Sequence, residues 1–210
     1  MRNHDKLIET LSRDARPVRR MPATLWRVTC WIASALPAGA LASWQLRHAL
    51  TDWTQPGAIS AAAAMLLAFI SGSVAIFSAL NLSIAGRSAV KARWLVLLIL
   101  SWLITTLLNT GLQPTHPLQA GEGMHCYQFM LTASLPMMFI AILCLRRTRS
   151  LFPVRSLMLA GCGIAFMTAT LLAFCHPVVL ERADLLMHLA AALTIIVLTP
   201  LVGYRWVALN

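Results

Sequence analysis

The sequence predicts an all-α, polytopic membrane protein, a six-transmembrane-helix bundle preceded by a short amphipathic helix. Three observations predict it. Of the 210 residues, 59% are apolar and 11% charged, against roughly 45–50% and about 25% in soluble domains. The apolar residues gather in six runs of about 20 residues, the length that crosses a hydrocarbon core about 30 Å thick. The basic residues avoid these runs and collect on alternate connections, as Lys and Arg do on the cytosolic loops of membrane proteins.

Residues 1–22 read as a cytosolic N-terminal tail. Leu7, Ile8, Leu11 and Ala15 share one face at helical spacing, and Glu9 and Arg13 form an i,i+4 pair on another. Pro17 ends the helix, because its ring blocks the preceding turn, and Arg16, Arg19 and Arg20 surround that break. The polar start shows no cleavable signal peptide, so the first span is expected to act as its own insertion signal. A tail of this length cannot fold alone; it lies on anionic lipid or docks its apolar face on a partner.

Residues 23–210 form the transmembrane domain. Span one, about 25–46, carries Cys30, Pro37 and two interfacial tryptophans, Trp26 and Trp44. Span two, about 57–84, is rich in Ala, Gly and Ser, which let helix backbones approach closely in lipid. Span three runs over about 94–112. Span four, about 126–145, opens on His125-Cys126 and contains Pro136. Span five covers about 154–174 and span six about 185–202. Pro37 and Pro136 are expected to bend their helices, which bundles in lipid tolerate.

With the N-terminus inside, every Lys and Arg except Arg47 and Arg182 falls on the inner side or in its first helical turns. Both termini are therefore expected in the cytosol. The net charge of +10 is then a topology signal and not a nucleic-acid footprint.

This orientation sorts the five cysteines by depth. Cys30, Cys144 and Cys162 lie within spans, where a thiol packs as a small apolar group. Cys126 and Cys175 lie at the outer rim, where disulfides persist. Each has a histidine beside it, His125 and His176, and His188 follows one turn after Asp184. Three outcomes stay open: a disulfide, a soft-metal site for zinc, copper or cadmium, or two thiols that never meet. Asp184 is placed to orient the His188 ring. Phosphate loops, G-x-S-x-G and HExxH are absent, and no carboxylate or lysine sits inside a span to couple transport. The sequence gives no basis for an enzyme, a cofactor-dependent reaction or a small-molecule substrate.

The stretch Leu7-Ile8-Glu9-Thr10-Leu11 followed by Arg16-Pro17-Val18-Arg19-Arg20, the cysteine opening span four, and Cys175-His176 with His188-Leu189-Ala190 downstream resemble the bacterial negative regulator of sigma F family, six-span anti-sigma factors. The likeness extends over nearly the whole chain. It implies that the cytosolic face holds an extracytoplasmic-function sigma factor at the inner membrane, without direct nucleic-acid binding. It implies that Cys126 and Cys175 sense oxidants or heavy-metal ions, and that the tail, through Arg16 and Pro17, helps bind sigma. Leu7, Ile8 and Leu11 are the expected apolar anchor, with Arg16, Arg19 and Arg20 meeting acidic sigma surface. The alternative from a different class is a membrane thiol-redox or metal-handling protein, an exchanger or transporter with no sigma partner.

Overall fold

The computed structural model describes residues 2–14, 21–46, 50–110, 124–148, 150–178 and 182–208. The tail residues Arg16, Pro17, Arg19 and Arg20 lie outside them. Seven α-helices follow in order: α1 Arg2–Asp14, α2 Thr24–Ala42, α3 Ala58–Leu82, α4 Ala92–Thr110, α5 Met124–Arg146, α6 Pro153–Leu172 and α7 Arg182–Val207, with a 3₁₀ turn Trp44–Leu46 after α2. Among the described residues there is no strand. Helices α2 to α7 are each long and apolar enough to cross a membrane, so the chain is a multi-pass membrane protein. Their bounds fall within a few residues of those expected from sequence, except that α7 runs to Val207, beyond the predicted end near 202. Span one is a regular α-helix only to Ala42.

Lipid offers backbone groups no hydrogen-bonding partner, so each span must satisfy its own. Several helical hydroxyls are satisfied in the same way: Ser73, Ser78, Thr170 and Thr199 each donate to the carbonyl four residues back, at 2.7–2.9 Å, whereas the buried Ser71 hydroxyl has no partner among the described residues. α2, α5 and α7 continue through Pro37, Pro136 and Pro200.

α6 is the central helix. It packs most extensively on α3 and α7, and also on α5 and α2, whereas α4 packs chiefly on α3. Small residues make this possible. A Cβ at Gly163 would stand 2.6 Å from Ile76 Cγ1 and 3.0 Å from the Gly72 carbonyl oxygen, so α3 and α6 meet backbone to backbone. A Cβ at Gly161 would stand 2.9 Å from Ile196 Cα on α7. In lipid, where apolar side chains gain little by leaving the solvent, such close packing holds helices together. α1 packs extensively on no other element; its Leu7, Ile8 and Leu11 are exposed, and Glu9 and Arg13 pair at 3.5 Å.

The arginine end is tied by polar contacts between α2 and the α3–α4 connection. Arg87 donates to Thr24 Oγ1 at 2.8 Å, Thr24 donates to Asn81 Oδ1 at 3.1 Å, and Arg27 donates to the Leu80 carbonyl at 3.2 Å. There Arg146 of α5 stacks over the Trp206 ring of α7 at 5.1 Å. No carboxylate is paired with Arg27, Arg87, Lys91, Arg93, Arg146, Arg147, Arg155 or Arg205 among the described residues.

Gly161→Ala is expected to destabilise the bundle by about 1–3 kcal/mol, the range for overpacking, because the new methyl meets backbone that can only move with α7. Ser101→Ala, on the exposed face of α4, is expected to change stability by less than about 0.5 kcal/mol. Reversible unfolding in mixed micelles measures both.

Candidate functional site

At the other end of the bundle two connections, α2–α3 and α6–α7, are described in part. Thr51, after the 3₁₀ turn, holds the α6–α7 connection. Its N–H donates to the Phe174 carbonyl at 3.1 Å, and its hydroxyl lies 2.7 Å from the carbonyls of both Ala173 and His176. Trp53 meets Phe174 edge to face at 6.4 Å. His176 is thereby held over the start of α7, beside Asp184.

Four residues converge there. Cys126 comes from the first turn of α5, His176 from the α6–α7 connection, and Asp184 and His188 from the first two turns of α7. Ligand atoms of Cys126, His176 and His188 all lie within 4.8 Å of one another. Asp184 joins them: one carboxylate oxygen is 3.3 Å from His176 Nε2 and the other 3.9 Å from Cys126 Sγ. The rings of His176 and His188 meet edge to face at 5.5 Å. Both histidines are buried, each 8% exposed.

Hydrogen bonding sets the charge on His176. Its Nδ1 lies 2.9 Å from the Pro177 carbonyl oxygen, which can only accept, and its Nε2 faces a carboxylate. Two acceptors call for two N–H donors, the imidazolium form. Burial opposes that charge, but the bonds to Asp184, Cys126 and the Pro177 carbonyl overcome it and push the His176 pKa up from 6.5 to about 10.

The geometry narrows what the sequence left open. Asp184 pairs with His176 and lies 3.9 Å from Cys126 Sγ, and it acts on the His188 ring through its charge. Side chains in a helix lean toward its N-terminus, so a carboxylate in the first turn of α7 reaches back to the preceding connection, away from the next turn. No disulfide joins Cys126 to Cys175, and both are thiols. The group with metal-ligating geometry is Cys126 with His176 and His188. His125, expected beside the thiol, is exposed and is not one of the three. Thr51 was not singled out from sequence, since a threonine in a short polar loop carries no signal of a contact 125 residues away.

Chemically, a thiol, two imidazoles and a carboxylate make an S/N/N/O donor set of the type that holds zinc-like ions. The His176 Nδ1–H bond to a backbone carbonyl is the outer contact that usually fixes a metal-binding imidazole. The group can hold a metal ion. The chain was compared with protein-family models, with curated proteins and with solved structures, and none matches.

Because the folded pKa of His176 lies above 6.5, the stability contributed by its pair with Asp184 is complete below about pH 6.5 and is lost as pH rises through about 10. Asp184→Asn is expected to bring the His176 pKa down toward or below 6.5, since burial then acts against a much weaker opposition. A histidine titration by ¹⁵N NMR reads this directly; a value unchanged near 10 contradicts the assignment of Asp184.

Proposed function

We propose that this protein is a bacterial inner-membrane anti-sigma factor. Its N-terminal tail and arginine-rich end hold an extracytoplasmic-function sigma factor in the cytosol. Its opposite, periplasmic end releases that factor when Cys126 and its neighbours bind a heavy-metal ion or are oxidised. The observation that carries the reading is the Cys126–His176–His188 group with Asp184, its two histidines buried, at the end of the bundle opposite the arginine cluster. Ionisable groups are costly to keep near membrane depth and are rarely retained without use. The resemblance of the tail and of the Cys126 and Cys175 segments to the negative regulator of sigma F family supports the sigma partner. The exposed Leu7, Ile8 and Leu11 on α1 leave an apolar face for that partner, and Arg16, Arg19 and Arg20 supply charge for its acidic surface.

Zinc or a softer ion would displace the thiol proton of Cys126 and the Nε2 proton of His176 to solvent, and would be held by Cys126 Sγ, His176 Nε2 and a nitrogen of His188, with Asp184 as a further oxygen ligand. The ion supplies a strong local positive charge that draws these donors together. Binding at metal–ligand distances of about 2.0–2.3 Å would draw Cys126 of α5 and the start of α7 together. Those two helices touch again at the arginine end through Arg146 and Trp206. A movement that pairs them at one end therefore alters the surface at the other. A tenfold loss of sigma affinity needs a coupling of only about 1.4 kcal/mol. Cys175, close in sequence to His176, is the candidate second thiol for the oxidative route. In this reading the protein is not an enzyme.

The reading is tested by co-purifying the full chain with candidate sigma factors. Leu7→Asp with Leu11→Asp is expected to lower sigma retention tenfold or more. Cadmium is expected to release sigma from the wild type and not from Cys126→Ser. Cobalt is expected to give thiolate charge-transfer absorption that Cys126→Ser abolishes and Cys175→Ser preserves. If no sigma factor is retained while cobalt still binds, the metal-handling alternative stands and the anti-sigma reading fails.

A further inference from the structure

At the arginine end two guanidinium groups are brought to one face of α2. Thr24 and Arg27 lie one turn apart, and side chains three residues apart on a helix are neighbours. Arg27 donates to the Leu80 carbonyl at 3.2 Å. Arg87 comes from the α3–α4 connection and donates to Thr24 Oγ1 at 2.8 Å. Its guanidinium thus arrives beside that of Arg27, close enough for the two charges to act on each other. The connection is shaped for this. Gly86 has φ +80°, a left-handed conformation that residues with a side chain rarely adopt. A Cβ there would meet nothing within 4 Å, so the glycine serves the turn and not a close contact. The Arg87 N–H donates to the Ile84 carbonyl at 3.1 Å, and Asn81 Nδ2 donates to the Ser88 carbonyl at 2.9 Å. These bonds hold Arg87 turned back on α2.

Like charges held together repel, and no described carboxylate of the bundle offsets this pair. Asp52 and Asp184 belong to the opposite rim, and the acids of α1 sit on a helix that packs extensively on no other element. A guanidinium carries five N–H donors, and among the described residues each arginine bonds one protein atom. The other N–H groups form two planar forks, the shape that matches phosphate oxygens. Depth decides which phosphate. Arg27 is half-buried in the first turn of a span. Its neighbours Leu25 and Trp26 are 69% and 65% exposed, on a face that meets lipid when α2 crosses a bilayer. Trp94 and Trp206 are exposed at the same end, each under an arginine, Arg93 and Arg146. Tryptophans so placed mark the head-group level. A lipid presents its phosphate at that level together with acyl chains that cover Leu25 and Trp26, whereas a free phosphate covers neither. A choline or ethanolamine head adds a cation, which two guanidinium groups repel. We propose that Arg27 and Arg87 bind the phosphate of an anionic phospholipid whose acyl chains lie along α2. The site requires no sigma factor, and it leaves α1 and the remaining arginines to one.

The test uses the full chain in dodecyl maltoside micelles, titrated with a fluorescent phosphatidylglycerol while anisotropy is followed. Saturable binding is expected, with phosphatidylcholine of the same chain length competing about tenfold less well or worse. Arg27→Gln with Arg87→Gln keeps an N–H donor for the Leu80 carbonyl and for Thr24 and removes both charges. It is expected to weaken phosphatidylglycerol binding about tenfold or more and to leave the melting temperature in lipid-free micelles close to that of the wild type. Thr24→Val removes the acceptor that holds Arg87 and is expected to weaken binding by a smaller factor. Arg93→Gln removes a charge at the same end and is expected to change binding by less than about twofold. Equal losses from Arg93→Gln and Arg27→Gln would overturn the proposal in favour of diffuse attraction to a basic rim. A double variant that binds phosphatidylglycerol like the wild type, or that loses only stability, would also overturn it. So would displacement of the lipid at equal concentration by inorganic phosphate or by polyglutamate, which would assign the pair to a soluble anion or to an acidic protein surface.

Discussion

The close approach of α6 to α3 and α7 is the constraint on which the rest of the structure depends. Lipid gives no reward for burying leucine against leucine, so the helices are held by packing and by backbone proximity. Gly72, Gly161 and Gly163 supply the proximity. With α6 central, its C-terminal end emerges in the middle of one rim, and the connection to α7 must cross that rim. His176 sits on this crossing. The position of the chemistry thus follows from which helix lacks side chains at its contacts.

Around that crossing the protein keeps a buried charge pair in a setting where charges are costly. Asp184 and His176 offset each other, the Pro177 carbonyl takes the remaining N–H, and Thr51 holds the backbone beneath. His188 is the one member whose Nε2 stays without a partner. It stands where the polar rim gives way to an apolar cavity between α4, α5, α6 and α7, with the Cys126 group on one side and lipid-facing α7 on the other.

The two ends of the bundle differ in chemistry and are linked mechanically. α5 and α7 meet near the thiol end through Cys126 and Asp184 and near the arginine end through Arg146 and Trp206. Gly203 of α7 fits between Leu157 and Ile142 close to that second contact, so the helices pack along much of their shared length. A packed interface of this kind moves between discrete arrangements and does not deform continuously. That property suits a device in which a ligand at one rim changes what the other rim presents.

The sequence by itself determined the six spans, because 20-residue apolar runs can satisfy their backbone in lipid only as helices. It also determined α1, through the spacing of Leu7, Ile8 and Leu11, and the separation of Cys126 and Cys175 from the arginine-rich connections, through the alternation of those connections. It marked Cys126, His176 and His188, since polar groups next to long apolar runs stand out. Only the tertiary structure decided their partners. Which carboxylate oxygen meets which ring, that Cys126 groups with two histidines while Cys175 stays outside the group, that Thr51 anchors the crossing, and that α4 stands aside to leave a cavity are matters of helix rotation and neighbour choice. Those are set by shape complementarity between small-residue faces, which summed apolar composition does not encode.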